Sequence, residues 1–145
     1  MSGEVDLKRR ILVFDTDQAI TKQLFWTLCE EYDVVTANDV PTALRRVASH
    51  RPAVALVELN ANAGTDSPET GLRIIDYLKS HLPQSRILGM TSEVGQESKK
   101  KLFVSGVDEL LDKPFETEQL LGLLRRLAPA QSFDSAASFT SKVCY

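Results

Sequence analysis

Short apolar runs alternate along the chain with longer stretches in which apolar residues recur every three or four positions. The run Ile-Leu-Val-Phe at 11–14 is continuous, as in a strand that is buried on both faces of a parallel sheet. In the stretch that follows, Ile20, Leu24 and Leu28 fall on one side of a helix. Five strand–helix pairs follow one another in this way. The pattern therefore predicts an α/β fold, with a doubly wound parallel sheet of five strands and helices on both faces.

The pattern also gives bounds for the elements and for the domain. Strands are predicted at 11–14, 34–37, 54–59, 86–90 and 107–111, and helices at 18–30, 42–50, 72–78, 96–104 and 116–127. We predict a short N-terminal extension at 1–7, one domain at 8–127 and a Ser/Ala-rich tail or linker at 128–145.

Two segments lie outside the periodic pattern. Residues 61–70 are small and polar and predict a loop, which either covers a site, offers a partner surface or is an ordinary surface insertion. The tail carries Phe133, Phe139 and Val143. These apolar residues either dock on the domain or a partner, or belong to a mobile terminus; we expect the mobile terminus.

Composition narrows the function classes. The chain has 145 residues and a net charge of −3, without the basic surplus that nucleic-acid binding normally requires. No apolar run approaches the roughly 20 residues that a membrane-spanning helix needs. The N-terminus is polar and acidic and lacks the order of a signal peptide. We therefore expect a cytoplasmic protein that binds neither nucleic acid nor membrane.

Polar residues gather where the predicted strands end, and the carboxyl ends of parallel strands are where such sheets form their sites. Such groups follow four of the strands and include carboxylates, hydroxyls and one amine, which suit a phosphoryl or metal site. The residues are Asp15, Thr16, Asp17, Glu58, Asn60, Thr91 and Lys113.

Taken in this order, these residues resemble the CheY-like receiver domain of two-component response regulators. The segments that carry the resemblance are Ile-Leu-Val-Phe-Asp-Thr-Asp, Ala-Leu-Val-Glu-Leu-Asn, Gly-Met-Thr-Ser and Leu-Asp-Lys-Pro-Phe. The resemblance covers about residues 8–127. It implies a flavodoxin-like fold and a place in signal transduction. In the family, a histidine kinase supplies a phosphoryl group to an aspartate after the third strand. Strand-1 acids hold Mg²⁺, and a lysine and a hydroxyl bind the phosphoryl group.

The sequence departs from that pattern at three positions. Glu58 stands at the acceptor position, and a misplacement of the nucleophile by about 1 Å can cost roughly 10²-fold in rate. Thr16 replaces the second strand-1 acid, so Mg²⁺ binding should be weak or absent. Leu110 stands at the aromatic switch position. We therefore expect a pseudo-receiver with no catalytic residues and no cofactor.

Three positions retain the family pattern, and a fourth, Asn60, lies where any residue would offer the backbone carbonyl ligand. Asp15 matches the first acid, Thr91 the switch hydroxyl and Lys113 the lysine, while the backbone oxygen of Asn60 is placed as a metal ligand. Asp17 either caps the first helix or binds metal, and we expect capping.

Glu58 carries the sharpest hypothesis from the sequence. By reaching both Lys113 and Thr91 it would imitate a phosphoryl group in part, since its charge is at most −1 against about −2. The domain would then be fixed in an active-like state. An inactive-like fixed state and retained switching are the alternatives.

These expectations favour a phosphorylation-independent interaction module over an enzyme. Its protein partner should bind the surface formed by the predicted helix at 96–104, the strand at 107–111 and the helix at 116–127, which we call the output face. A histidine kinase and a second copy of the chain are candidate partners. The alternative is a working phosphorelay receiver, as the regulatory part of a longer protein. A flavodoxin-like enzyme or nucleotide binder is disfavoured, because no Gly-rich phosphate loop follows the first strand.

Overall fold

The computed structural model describes residues 8–59, 69–92, 100 and 103–129. Within these ranges the strands are β1 (Arg9–Phe14), β2 (Tyr32–Ala37), β3 (Val54–Glu58), β4 (Arg86–Thr91) and β5 (Glu109–Asp112). The helices with full bounds are α1 (Gln18–Leu28), α2 (Val40–His50), α3 (Glu69–His81) and α4 (Thr117–Leu127).

The five strands form one sheet in the order β2-β1-β3-β4-β5, and every adjacent pair is parallel. From β1 the chain adds strands on both sides, so β2 and β5 are the edge strands and β1, β3 and β4 lie inside the sheet. All five residues of β3 are buried, as the continuous apolar run predicts. The predicted doubly wound, flavodoxin-like sheet is confirmed.

Alternation along each strand divides the core into two layers, because successive side chains of a strand point to opposite faces. Ile11 and Val13 pack with apolar residues of α1 and α4. Leu12 and Phe14 pack with apolar residues of α2 and α3. The sheet is therefore covered by helices on both faces.

Two aspartates fix where helices begin, by accepting a hydrogen bond from a backbone N–H of the first turn. Asp17 accepts from the Ala19 N–H at 2.9 Å and caps α1. Asp39 accepts from the Thr42 N–H at 2.8 Å and caps α2. The predicted capping role of Asp17 is confirmed.

The predicted bounds were less accurate than the elements themselves. β1 and β2 each begin two residues before the predicted start, and α1 ends at Leu28, two residues before its predicted end. The predicted loop at 61–70 is wrong at its end, because Glu69 and Thr70 belong to α3. Polar residues in the first and last turns of a helix carry no apolar period, so the pattern could not include them.

Several predictions fall on residues that the structure leaves undescribed. The extension at 1–7, the loop at 60–68 and the tail at 130–145 lie outside the described ranges. Of the predicted helix at 96–104, residues 100, 103 and 104 are described, and all three are helical. Among the described residues, no helix is long and apolar enough to cross a membrane.

Candidate functional site

The predicted polar residues meet in a crevice at the carboxyl end of the sheet. Asp15 directly follows β1, Glu58 and Thr91 are the last residues of β3 and β4, and Lys113 directly follows β5. These four strands are neighbours. Their ends therefore bring two carboxylates, one hydroxyl and one ammonium group together.

Lys113 is shared unequally between the two carboxylates. Its Nζ lies 2.9 Å from Asp15 Oδ2 and 3.8 Å from Glu58 Oε2. Its backbone N–H donates to the Thr91 carbonyl at 2.7 Å, which extends the β4–β5 ladder by one residue. Glu58 therefore reaches Lys113, as predicted, although Asp15 is the nearer partner of the lysine.

Asp15 is fully buried and each of its oxygens has a partner. Oδ1 accepts from the Asp17 N–H at 2.9 Å, Oδ2 accepts from Lys113, and the backbone carbonyl accepts from Asn38 Nδ2 at 2.7 Å. Burial raises the pKa of Asp15; the hydrogen bonds from Lys113 and Asp17 oppose this, and the nearby Glu58 charge adds to it. Asn38 was not predicted as part of the site, because it lies after β2 and matches no motif.

Glu58 is held by the residue that replaces the second strand-1 acid. Its Oε1 accepts from the Thr16 N–H at 2.9 Å and from Thr16 Oγ1 at 3.0 Å. An aspartate at position 16 would offer a second negative charge in place of this hydroxyl donor, and like charges at such a distance repel. The two departures from the receiver pattern, at 16 and 58, are therefore complementary to each other.

The side-chain hydroxyl of Thr91 is buried in the crevice without a hydrogen bond to any described residue. It is fully buried, and among the described residues its Oγ1 has no hydrogen-bond partner. The hypothesis that Glu58 reaches both Lys113 and Thr91 is thus wrong for Thr91. The reason is that Oε1 is directed to Thr16 and Oε2 to Lys113. A buried hydroxyl without a hydrogen bond lowers the stability of a fold by about 1–3 kcal/mol, so the Thr91 hydroxyl is locally destabilising.

Leu110, at the aromatic switch position, is half-buried and packs against the core layer that contains α3. A methyl group added at Gly89 would lie 3.1 Å from Leu110 Cδ2, so the leucine covers the adjacent glycine on β4. An aliphatic side chain that rests on the sheet in this way supplies no aromatic ring for the switch.

The oxygens of the crevice do not fit a Mg²⁺ site. Both carboxylate oxygens of Asp15 already accept hydrogen bonds, and Thr16 contributes a neutral hydroxyl that donates to Glu58. In the described part of the chain, no group of three or more His, Cys, Asp or Glu residues is placed to hold a metal ion. Mg²⁺ prefers several charged or carbonyl oxygens that are free to coordinate it. Asn60, whose carbonyl was predicted as a ligand, lies outside the described residues.

Gly71 is a supporting residue that the sequence did not identify. A Cβ atom at this position of α3 would lie 2.4 Å from the Glu58 carbonyl oxygen and 2.6 Å from Leu59 Cδ2. The absence of a side chain therefore lets α3 approach the end of β3 directly behind the glutamate. Nothing in the amino-acid sequence around Gly71 distinguishes it from a glycine that lies in a helix without such a close contact.

Comparison with known proteins agrees with this geometry. The model of the response regulator receiver domain family matches residues 11–125. The response regulator MprA from Mycobacterium sp. (strain KMS) is 32% identical over 134 residues, which cover 88% of this chain and 56% of MprA. MprA from Mycobacterium leprae gives the same identity and coverage. The chain thus spans about half the length of the curated relatives that it matches.

Solved structures show the same fold. The chemotaxis protein CheY4 from Vibrio cholerae is 27% identical with a TM-score of 0.73, and the match covers 83% of this chain and 98% of CheY4. The BeF3-activated receiver domain of DrrB is 25% identical with a TM-score of 0.71, and the match covers 83% of this chain and 97% of that domain.

Proposed function

The chain belongs to the response regulator receiver domain family of two-component signalling, and we propose that its output does not depend on phosphorylation. In this proposal the domain acts by binding another protein and catalyses no reaction of its own. It is a pseudo-receiver, a subclass defined by the loss of the acceptor and not by a change of fold.

The observation that carries the proposal is the contact between Thr16 and Glu58. Two donors from one residue hold Oε1 at 2.9 and 3.0 Å. A carboxylate that accepts two hydrogen bonds, with a lysine beside its other oxygen, is a weakened nucleophile, because these contacts stabilise the negative charge that would attack phosphorus. Thr16 also removes the charge that the family uses to hold Mg²⁺. Threonine at position 16 thus supplies hydrogen-bond donors to Glu58 and, at the same time, weakens the metal site.

The same contact argues against phosphoryl mimicry. Because Glu58 is directed to Thr16 and away from Thr91, the hydroxyl that senses the phosphoryl group in the family stays unengaged. We infer that the domain is held in one state in which Thr91 is not engaged. A partner would then recognise this fixed state, and signalling would depend on the amount or location of the chain.

The output face is the surface that we propose for the partner. Its described residues include Phe103 and Val104, whose side chains are 46% and 86% exposed. On the elements that form the same face, Arg126 of α4 and Glu109 of β5 form a 3.2 Å ion pair. A surface that carries both exposed apolar residues and charged ones suits a protein partner. A histidine kinase and a second copy of the chain remain the two candidates.

Phosphoryl transfer from a small donor tests the proposal. The wild-type chain would be incubated with Mg²⁺ and acetyl phosphate and its intact mass recorded. The double variant Thr16→Asp, Glu58→Asp, which rebuilds the family's acid pair and acceptor, would be treated in parallel. We expect a phosphoryl adduct on the double variant and none on the wild type.

The single variant Glu58→Asp is the matched control, because it restores the acceptor but keeps Thr16. Its adduct should be weaker than that of the double variant, since the metal site stays incomplete. An adduct on the wild-type chain that disappears in Glu58→Gln would refute the proposal. It would support the working phosphorelay receiver instead.

A further inference from the structure

A pair of aromatic side chains marks the last turn of α1, away from the crevice. Trp26 is 58% exposed, and its ring meets that of Phe25 edge to face with the centroids 5.2 Å apart. Phe25 is partly buried against the core. Trp26 is the single tryptophan of the chain. We call Phe25 and Trp26 the α1 aromatic pair.

The described chain ends close to this pair. The carbonyl of Pro129, the last described residue, accepts from Arg9 Nε at 3.2 Å. The neighbouring Lys8 donates through Nζ to the carbonyl of Cys29, directly after α1, at 2.9 Å. The adjacent residues Lys8 and Arg9 thus contact both the end of α1 and the last described residue of the chain, which places the two in the same part of the domain.

An ion pair between α4 and α1 strengthens the same corner. The guanidinium of Arg125 donates to both carboxylate oxygens of Glu31, each at 2.9 Å. This bidentate geometry fixes the last turn of α4 beside the end of α1. The chain that follows α4 therefore starts within a short distance of the aromatic pair.

The segment that follows, 130–145, has a composition suited to that pair. Its 16 residues include the apolar and aromatic side chains of Phe133, Phe139, Val143 and Tyr145, and its one acid, Asp134, balances its one base, Lys142. Sixteen residues can span at most about 53–58 Å when extended, which far exceeds the reach needed here. The segment also brings no net charge to the end of α1, where Lys22 lies about one helical turn before Trp26 and Glu30 follows the helix.

From these observations we propose that residues 130–145 dock in cis on the α1 aromatic pair. The segment covers Trp26 with its phenylalanines and competes there with any protein that binds the end of α1. The contact lies at the end of α1 opposite to the crevice, which adjoins the helix start capped by Asp17. The proposal is therefore independent of the function proposed for the crevice, and either can fail without the other.

Tryptophan fluorescence of the full chain tests the docking, because Trp26 is the only tryptophan and its emission reports whether its ring is covered. We would measure acrylamide quenching of the wild type and of the triple variant Phe133→Ser, Phe139→Ser, Val143→Ser. The expected result is stronger quenching and a red-shifted emission in the triple variant. Phe103→Ser, which removes an exposed phenylalanine elsewhere on the domain, is the control and should leave both values unchanged.

Two outcomes would overturn the proposal. Equal quenching of the wild type and the triple variant would mean that the segment does not cover Trp26. Quenching of the wild type that increases on dilution would mean that a second copy covers Trp26. Circular dichroism of each variant checks that the domain stays folded, and docking in cis requires the protection to be independent of protein concentration.

Discussion

Replacing Gly71 with alanine tests how closely α3 approaches the end of β3 behind the crevice. The added Cβ would lie 2.4 Å from the Glu58 carbonyl oxygen and 2.6 Å from a methyl carbon of Leu59. Both contacts are about 1 Å shorter than ordinary van der Waals contact, which begins near 3.4 Å. Backbone cannot yield as a flexible side chain does, so α3 or the end of β3 has to move.

The size of the effect follows from two opposing contributions. Overpacking a tight contact costs about 1–3 kcal/mol. Alanine in place of glycine in a helix returns about 0.5–1 kcal/mol. We expect Gly71→Ala to lower the free energy of unfolding by a net of about 1–2 kcal/mol. At Gly122, in α4, an added Cβ meets nothing within 4 Å, so Gly122→Ala should raise it by about 0.5–1 kcal/mol.

Urea unfolding of the wild type and the two variants measures both effects, and the two midpoints should shift in opposite directions. Amide NMR shifts around Glu58 should accompany Gly71→Ala and be absent from Gly122→Ala. If Gly71→Ala stabilised the protein as much as Gly122→Ala does, α3 would not lie against β3 as described. The reasoning about the support of the crevice would then be refuted.

Three further predictions concern charge and packing. Burial raises the pKa of Asp15 above 3.8, so the stabilising contribution of the buried carboxyl is complete below the unfolded pKa and is lost as the pH rises through the folded pKa. Urea unfolding should show Asp15→Asn gaining stability relative to the wild type as the pH rises above about 4, and a constant difference would contradict this. Burial likewise raises the pKa of Tyr32 to about 12, so the wild type should lose stability as the pH rises from about 10 towards 12, whereas Tyr32→Phe should lack that part of the loss in alkaline unfolding curves. Leu56→Ala in the fully buried core should lower the free energy of unfolding by about 2–5 kcal/mol. Arg125→Gln, which breaks an exposed ion pair, should lower it by only about 0–1 kcal/mol, and by less at high salt. Equal losses in urea unfolding would contradict the assigned burial.

The fold could be predicted from the sequence because its signals are local. Continuous apolar runs such as 11–14 can be satisfied only by burial on both faces, and the residues that follow them must then lie at one edge of the sheet. Asp15, Glu58 and Lys113 were placed in one crevice on that ground alone, and the structure brings them together. Such predictions depend on the order of elements and not on distances.

The partners of individual side chains could not be predicted in the same way. Glu58 can bond Thr16, Thr91 or Lys113 through changes of side-chain rotamer, and the sequence does not show which combination is adopted. Asn38 was missed because it acts from a neighbouring loop through a hydrogen bond to a backbone carbonyl. Gly71 was missed because a close approach of two backbones leaves no pattern along the chain.

The central claim is that the bonds between Thr16 and Glu58 leave the crevice unresponsive to phosphoryl chemistry. Amide NMR spectra recorded during addition of Mg²⁺ and then beryllofluoride, which imitates a bound phosphoryl group, test it most directly. For the wild type we predict no localised shifts at millimolar Mg²⁺ and none on adding beryllofluoride, whereas the double variant Thr16→Asp, Glu58→Asp should respond to both. Wild-type shifts that begin around Asp15 and Glu58 with Mg²⁺ and spread to the output face with beryllofluoride would contradict the claim and indicate a receiver that still switches.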